Sequence, residues 1–156
     1  MRGGWFAFDT PMLFTIGCVV TLAMGGLTSF LMANPPADRP RHDTYYVVWH
    51  FRYLLSLAVL FGFFAAWYYL FPKITSYANS NLLGRIHFWL LFIGVNIVLV
   101  PQIFLFARMV ERLADAQDGF RYWNLVSWMG SSISAASTLV FILNMVLSLL
   151  RKRPAD

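Results

Sequence analysis

The sequence predicts an all-α membrane protein with four transmembrane helices. Hydrophobic residues make up 59% of its 156 residues and charged residues 12%, against roughly 25% charged residues in soluble domains. Four apolar stretches, at 12–32, 45–70, 86–106 and 123–150, each reach the ~20 residues that a helix needs to cross a bilayer. Short connections join them, so we expect one four-span domain over residues 1–156.

Small residues mark the first and last spans. Gly17, Gly25 and Gly26 lie in the first span, and the last contains the run GSSISAAS at 130–137. Small side chains let helix backbones approach closely in lipid. We therefore interpret both groups as packing surfaces.

The third span contains a proline and begins with a histidine. Pro101 lacks the N–H that a helix interior uses, so it predicts a kink or a local loss of hydrogen bonding. His87 lies at the start of the span, where we expect a structural role at the membrane interface.

The second span carries the residues that point to function. His50 and Arg52 lie inside an apolar segment, where a polar ring or a charge is costly without a partner. Being two residues apart, they lie about 200° apart around a helix axis, on nearly opposite faces. His50 therefore needs a ligand or a hydrogen-bond partner on a neighbouring helix.

The segment NPPADRPRHD, at residues 34–43, predicts a rigid polar loop directly before this span. Its Asp38, His42 and Asp43 are chemically able to bind a metal ion. The alternative is a solvated turn in which an aspartate caps the helix that follows.

Long motifs along most of the chain have a specific residue pattern. The longest is HDTYYVVWHFRYLLS, and it resembles the heme-ligating helix of subunit I of the heme-copper oxidases, the family of cytochrome c oxidase. The segments TPMLFTIG, GGLTSFLMAN, AWYYLFPKITSY, RIHFWLLFIGVN, PQIF and YWN resemble others in the same order and at nearly the same spacing. The resemblance covers about residues 10–150 and implies the last four of the family's twelve membrane helices.

The resemblance implies roles for five residues around the second span. His50 matches the axial ligand of the high-spin, oxygen-reducing heme, and Phe51 matches the aromatic residue between the family's two hemes. His42 and Asp43 match residues that help to hold a magnesium ion. Asp38 matches a residue near a heme propionate.

Other positions depart from the family. Arg52 stands where the family has the histidine that ligates the low-spin heme, and a guanidinium does not ligate iron. Ile103 replaces the histidine of the family's PQHF. Glu111 replaces one of two paired arginines, so only Arg112 keeps a propionate-binding role. The resemblance therefore implies that the second heme site is lost or rebuilt.

Arg52 also needs compensation for its charge, because none of the four spans contains Asp or Glu. A charge at the centre of a span costs at least ~2.5–3.5 kcal/mol. Its partner could be backbone carbonyls, water, Asn96 or Asn144, an acidic residue of another chain, or the propionates of a heme. The alternative is that its long side chain reaches the outer interface.

These features together predict a membrane protein of respiratory electron transport that is similar to cytochrome c oxidase subunit I and binds heme through His50. The family's copper ligands and main proton-uptake routes belong to earlier helices, so we expect no oxygen reduction by this chain alone. One alternative is a non-catalytic accessory or assembly subunit. Another is one piece of a split oxidase core.

The expected partners are the lipid bilayer and either further copies of this chain or other oxidase-type subunits, since His50 and Arg52 would otherwise face lipid. The net charge of +5 reflects membrane topology, and no nucleic-acid partner is expected. The basic cluster 151–153 follows the last span, which favours cytoplasmic termini. We expect an integral protein of a bacterial inner (plasma) membrane.

Overall fold

The structure is a computed structural model. It describes the backbone of residues 9–32, 45–109 and 116–152, and within these the side chains of 9–27, 30, 54–99 and 121–152.

The described residues form four helices, which are α1 (Thr10–Met32), α2 (Tyr45–Thr75), α3 (Asn81–Met109) and α4 (Ala116–Arg151). All four are long and apolar enough to cross a membrane. The predicted fold class is therefore confirmed, and every predicted span lies within one helix. Helices α3 and α4 extend beyond the predicted spans at both ends, α1 only at its start and α2 only at its end, because the helical backbone continues past the apolar stretch.

The chain divides into two compact units, Met1–Ser76 and Tyr77–Asp156. Within the first, α1 packs against α2, and within the second, α3 packs against α4. Each unit is therefore a hairpin of two antiparallel helices. The expectation of a single domain over the whole chain stays a prediction.

Polar residues before α1 and α3 cap the helix starts. The carbonyl of Asp9 accepts a hydrogen bond from the Leu13 N–H at 3.1 Å, and the carbonyl of Ser80 accepts one from the Gly84 N–H at 3.0 Å. Asp and Ser are among the residues preferred at this position. The sequences DTP and NSN thus start the two helices.

Left-handed residues follow the ends of α2 and α4. Ser76 has φ of 60° and Lys152 has φ of 46°, a conformation that commonly terminates helices. The Ser76 N–H donates to the Pro72 carbonyl at 2.8 Å. Pro101, in contrast, does not end α3, which continues to Met109.

Aromatic side chains fill the first hairpin. Phe14 of α1 is 0% exposed. Its ring centroid lies 6.0 Å from that of Phe61 and 5.5 Å from those of Phe64 and Tyr68. These three α2 residues recur at helical spacing and share one face. Four rings therefore form the centre of the α1–α2 contact.

The glycines of α1 differ in what they contact. A Cβ added at Gly25 would lie 3.1 Å from Leu54 Cδ1 of α2, whereas one at Gly26 would meet nothing within 4 Å. The lone Cys18 donates its thiol to the Ala58 carbonyl at 3.2 Å, which makes it a structural contact between the helices. The predicted packing role therefore holds for Gly25.

Two glycines define the centre of the second hairpin. A Cβ added at Gly94 would lie 2.5 Å from Ser134 Oγ and 2.9 Å from the Gly130 carbonyl oxygen. A Cβ added at Gly130 would lie 2.7 Å from the Gly94 carbonyl oxygen. The backbones of α3 and α4 are thus in direct contact, as small residues permit in lipid.

Candidate functional site

The predicted iron ligand lies in the first part of α2. His50, Phe51 and Arg52 follow Tyr45, the first residue of α2, by five to seven positions. Because the helical backbone is continuous through them, positions 50 and 52 lie about 200° apart around its axis. The prediction that they serve different faces is consistent with this backbone. Their side chains lie outside those that the structure describes.

The other predicted site residues, Asp38, His42, Asp43 and Arg112, lie outside the described residues. The magnesium site and the propionate contacts therefore stay predictions. Within the part of the chain that the structure describes, no group of three or more His, Cys, Asp or Glu side chains could hold a metal ion.

Buried polar side chains line one face of α4 in the second hairpin. Ser137, Asn144 and Ser148 are all buried. They are spaced seven and four residues apart, which places them on the same side of the helix. We call these three residues the polar seam.

The polar seam binds backbone groups rather than other side chains. Asn144 accepts a hydrogen bond from the Ser80 N–H at 3.2 Å and donates to the Ser80 carbonyl at 3.3 Å. Ser148 donates to the Ala78 carbonyl at 2.8 Å. Asn144 and Ser148 therefore hold the segment that leads into α3.

His87 lies at the other end of the polar seam. Its side chain is 0% exposed, and its ring centroid lies 5.3 Å from that of Phe141. Ser137 donates to the His87 carbonyl at 3.1 Å. The expected structural role of His87 is therefore supported, but in the interior of the hairpin rather than at an exposed interface.

Two asparagines were candidate partners for Arg52. The amide of Asn144 uses both its donor and its acceptor on Ser80. The Nδ2 of Asn96 donates to the Phe92 carbonyl of its own helix at 2.6 Å. The hydrogen bonds of Asn144 are thus made to a residue of its own hairpin.

The outer serines and threonine of α4 bond within their own helix. Ser131 and Ser132 each donate to the carbonyl four residues earlier at 2.9 Å, and Thr138 does so at 3.2 Å. A hydroxyl satisfied in this way can face lipid at little cost. The run of small residues therefore divides into a buried packing face and an outward face.

Sequence reasoning missed the polar seam, although its spacing was a readable signal. It also missed an exposed pair on α2, in which the Lys73 Nζ donates to the Tyr69 hydroxyl oxygen at 2.6 Å. These two residues are four positions apart, which is the spacing of neighbours on one helix face.

The two apolar hairpins and the buried polar contacts define an integral membrane protein of the helical class. The chain belongs to the cytochrome c and quinol oxidase polypeptide I family, whose model matches residues 1–133. The family resemblance read from the sequence is thus confirmed.

Curated relatives agree with the family match, and three of them are cytochrome c oxidase subunit 1. The one from Yarrowia lipolytica is 43% identical over 143 residues, which is 91% of this chain and 27% of the relative. The one from Debaryomyces hansenii is 40% identical over 148 residues, or 94% and 28%. The one from Eremothecium gossypii is 42% identical over 140 residues, or 89% and 26%. The chain thus spans about a quarter of the length of these relatives.

Proposed function

We propose that this chain is a heme-binding membrane protein of respiratory electron transport, with His50 as an iron ligand, that does not reduce oxygen alone. The observation that carries the proposal is the position of His50. It lies in the continuous helix α2, inside the region that matches the oxidase family.

The donor set of α2 fits one heme iron. Heme supplies reversible one-electron iron chemistry when it is bound. The neutral imidazole of His50 is a suitable axial ligand, and Phe51 would pack beside it. Arg52 does not ligate iron, because a guanidinium has no acceptor atom. The helix therefore offers one axial ligand where the family has two.

Charged residues in and near this helix would bind the heme propionates and a magnesium ion. Arg52 and Arg112 can each form paired hydrogen bonds with a carboxylate, which suits heme propionates, and Asp38 would lie near them. Asp43 would contribute a carboxylate to a magnesium site, because hard cations prefer oxygen ligands. His42, which matches a family residue at that site, would lie beside it.

An absorbance spectrum of the detergent-purified protein, oxidised and then reduced, tests the proposal. A Soret band that shifts on reduction is the expected result. A preparation from heme-replete membranes without this band would contradict the proposal.

A second candidate function is a non-catalytic accessory or assembly subunit, or one piece of a split oxidase core. Arg52 and Ile103, which replace family histidines, favour the accessory or assembly role, because neither side chain ligates iron. A split core requires the remaining helices from another polypeptide. Co-purification of an oxidase-type chain, with no heme on this chain alone, would support this candidate.

Partners and location complete the proposal. The membrane helices imply a bilayer, and the family suggests other oxidase-type subunits or further copies of this chain. We place the protein in a bacterial inner membrane with cytoplasmic termini. The basic cluster after the last span supports the orientation, whereas the relatives named above are fungal and give a bacterial origin no support.

A further inference from the structure

We propose that Tyr69 and Lys73, near the end of α2, form a binding site for the phosphate of an anionic phospholipid. This inference is independent of heme binding, since it uses a different part of α2. We call these two residues the Tyr–Lys pair.

The Tyr–Lys pair is a defined arrangement of donors. The Lys73 Nζ lies 2.6 Å from the Tyr69 hydroxyl oxygen and 3.8 Å from the centroid of the Tyr69 ring. An ammonium group has no acceptor, so the phenol oxygen accepts this bond. The proton of the phenol is therefore directed elsewhere.

The pair has hydrogen-bond donors that its internal hydrogen bond does not use. Among the described residues, no acceptor meets the Tyr69 O–H or the remaining N–H groups of Lys73. The sequence contains no Asp or Glu between Asp43 and Glu111, so the surrounding segment supplies no carboxylate. The pair therefore offers an ammonium and a hydroxyl donor to an external anion.

The position of the pair selects a lipid as the source of that anion. Helix α2 has 31 residues and is about 46 Å long, which exceeds the ~30 Å hydrocarbon core. Lys73 lies two residues before the end of α2, and we infer that this end reaches the head groups. The side chain of Tyr69 is 56% exposed and that of nearby Ile74 is 78% exposed, an apolar surface suited to acyl chains.

Charge favours an anionic head group over a zwitterionic one. Lys73 is positively charged, and the sequence around it from 44 to 110 contains no Asp or Glu. A basic residue near an anionic membrane surface gains about fivefold in affinity from its charge. A carboxylate of a partner protein is the other conceivable anion, but the exposed apolar surface beside the pair favours lipid.

Native mass spectrometry of the full-length protein tests the site by counting bound lipids after incubation with phosphatidylglycerol or phosphatidylcholine. The wild-type protein should retain phosphatidylglycerol preferentially. Lys73→Gln should lower this retention about fivefold. Tyr69→Phe should lower it less, because the charge remains while one donor is lost. Lys152→Gln is the control, since it removes an exposed basic residue that has no tyrosine partner in the described residues.

Equal losses in Lys73→Gln and Lys152→Gln would overturn the proposal, because general surface charge would then explain binding. Equal retention of the two lipids by the wild-type protein would overturn it as well. Displacement of phosphatidylglycerol by inorganic phosphate would contradict the assignment to a lipid. Circular dichroism should show the same helix content in all variants, as expected for exposed positions.

Discussion

Single atoms decide how closely the two helices of the second hairpin approach. At Gly94 the hydrogen that replaces a side chain leaves room for the Gly130 carbonyl and for Ser134. Contact between backbones strengthens dispersion and gives helices a packing energy that lipid does not supply. The stability of this hairpin should therefore depend on the absence of a side chain at Gly94.

Gly94→Ala should destabilise the protein by about 1–3 kcal/mol, because the added carbon would lie 2.5 Å from Ser134 Oγ and would force α3 and α4 apart. Gly26→Ala is the matched control. Its added carbon meets nothing within 4 Å, so the better helix propensity of alanine should leave stability unchanged or slightly raised. Thermal unfolding in detergent compares the two, and equal effects would contradict this description of the interface.

The glycines also show what could be predicted at this scale. The sequence indicated that small residues pack, but Gly25 and Gly26 are adjacent and only Gly25 faces α2. Which of them packs depends on the rotation of α1 about its axis, and this is set by its partner helix. His50 was identifiable because its motif is specific, whereas the Tyr–Lys pair is a common pair of residues whose contact depends on side-chain rotamers.

At the scale of elements, the polar seam joins α4 to the start of α3. Asn144 is 1% exposed and satisfies both backbone groups of Ser80, the residue that caps α3. A buried amide without such partners would be costly. The seam therefore fixes the register between the helix and the segment that precedes α3.

Asn144→Leu should destabilise the second hairpin by about 1–3 kcal/mol, because the partly buried Ser80 N–H would lose its acceptor. Amide hydrogen exchange should become faster at Ser80 and in the first turn of α3. Ser132→Ala serves as the control, since that exposed hydroxyl bonds only to the Trp128 carbonyl of its own helix. If Asn144→Leu exchanged like the wild-type protein, the seam would not hold α3.

The helices themselves were predictable because apolar stretches of membrane length are distinctive. The ends of the helices were less predictable. Helix α4 begins at Ala116, before the predicted start at residue 123, since the polar residues there carry no apolar signal yet continue the helix. The seam was hidden because its partners are backbone groups at Ala78 and Ser80, which a side-chain pattern does not reveal.

At the scale of the whole molecule, two membrane hairpins belong to a family whose curated relatives are more than three times as long. The charge of Arg52 lies in a span without acidic residues, and burial against another chain would relieve its cost. We therefore expect the protein to associate with copies of itself or with other oxidase-type subunits.

Mass measurement of the purified protein in detergent should show a complex rather than a single chain. Arg52→Leu should weaken the association, because a leucine side chain can face lipid at no cost and needs no partner. A stable single chain in the wild-type protein would contradict this expectation.

The central claim is that His50 ligates heme iron, and the most direct measurement is heme per chain in His50→Ala. The variant should lose the bound chromophore while helix content stays unchanged, because alanine is well tolerated in a helix. His87→Gln is the matched control, since it removes the histidine that the structure buries against Phe141, and it should keep the heme. Wild-type heme content in His50→Ala, or equal loss in both variants, would contradict the claim.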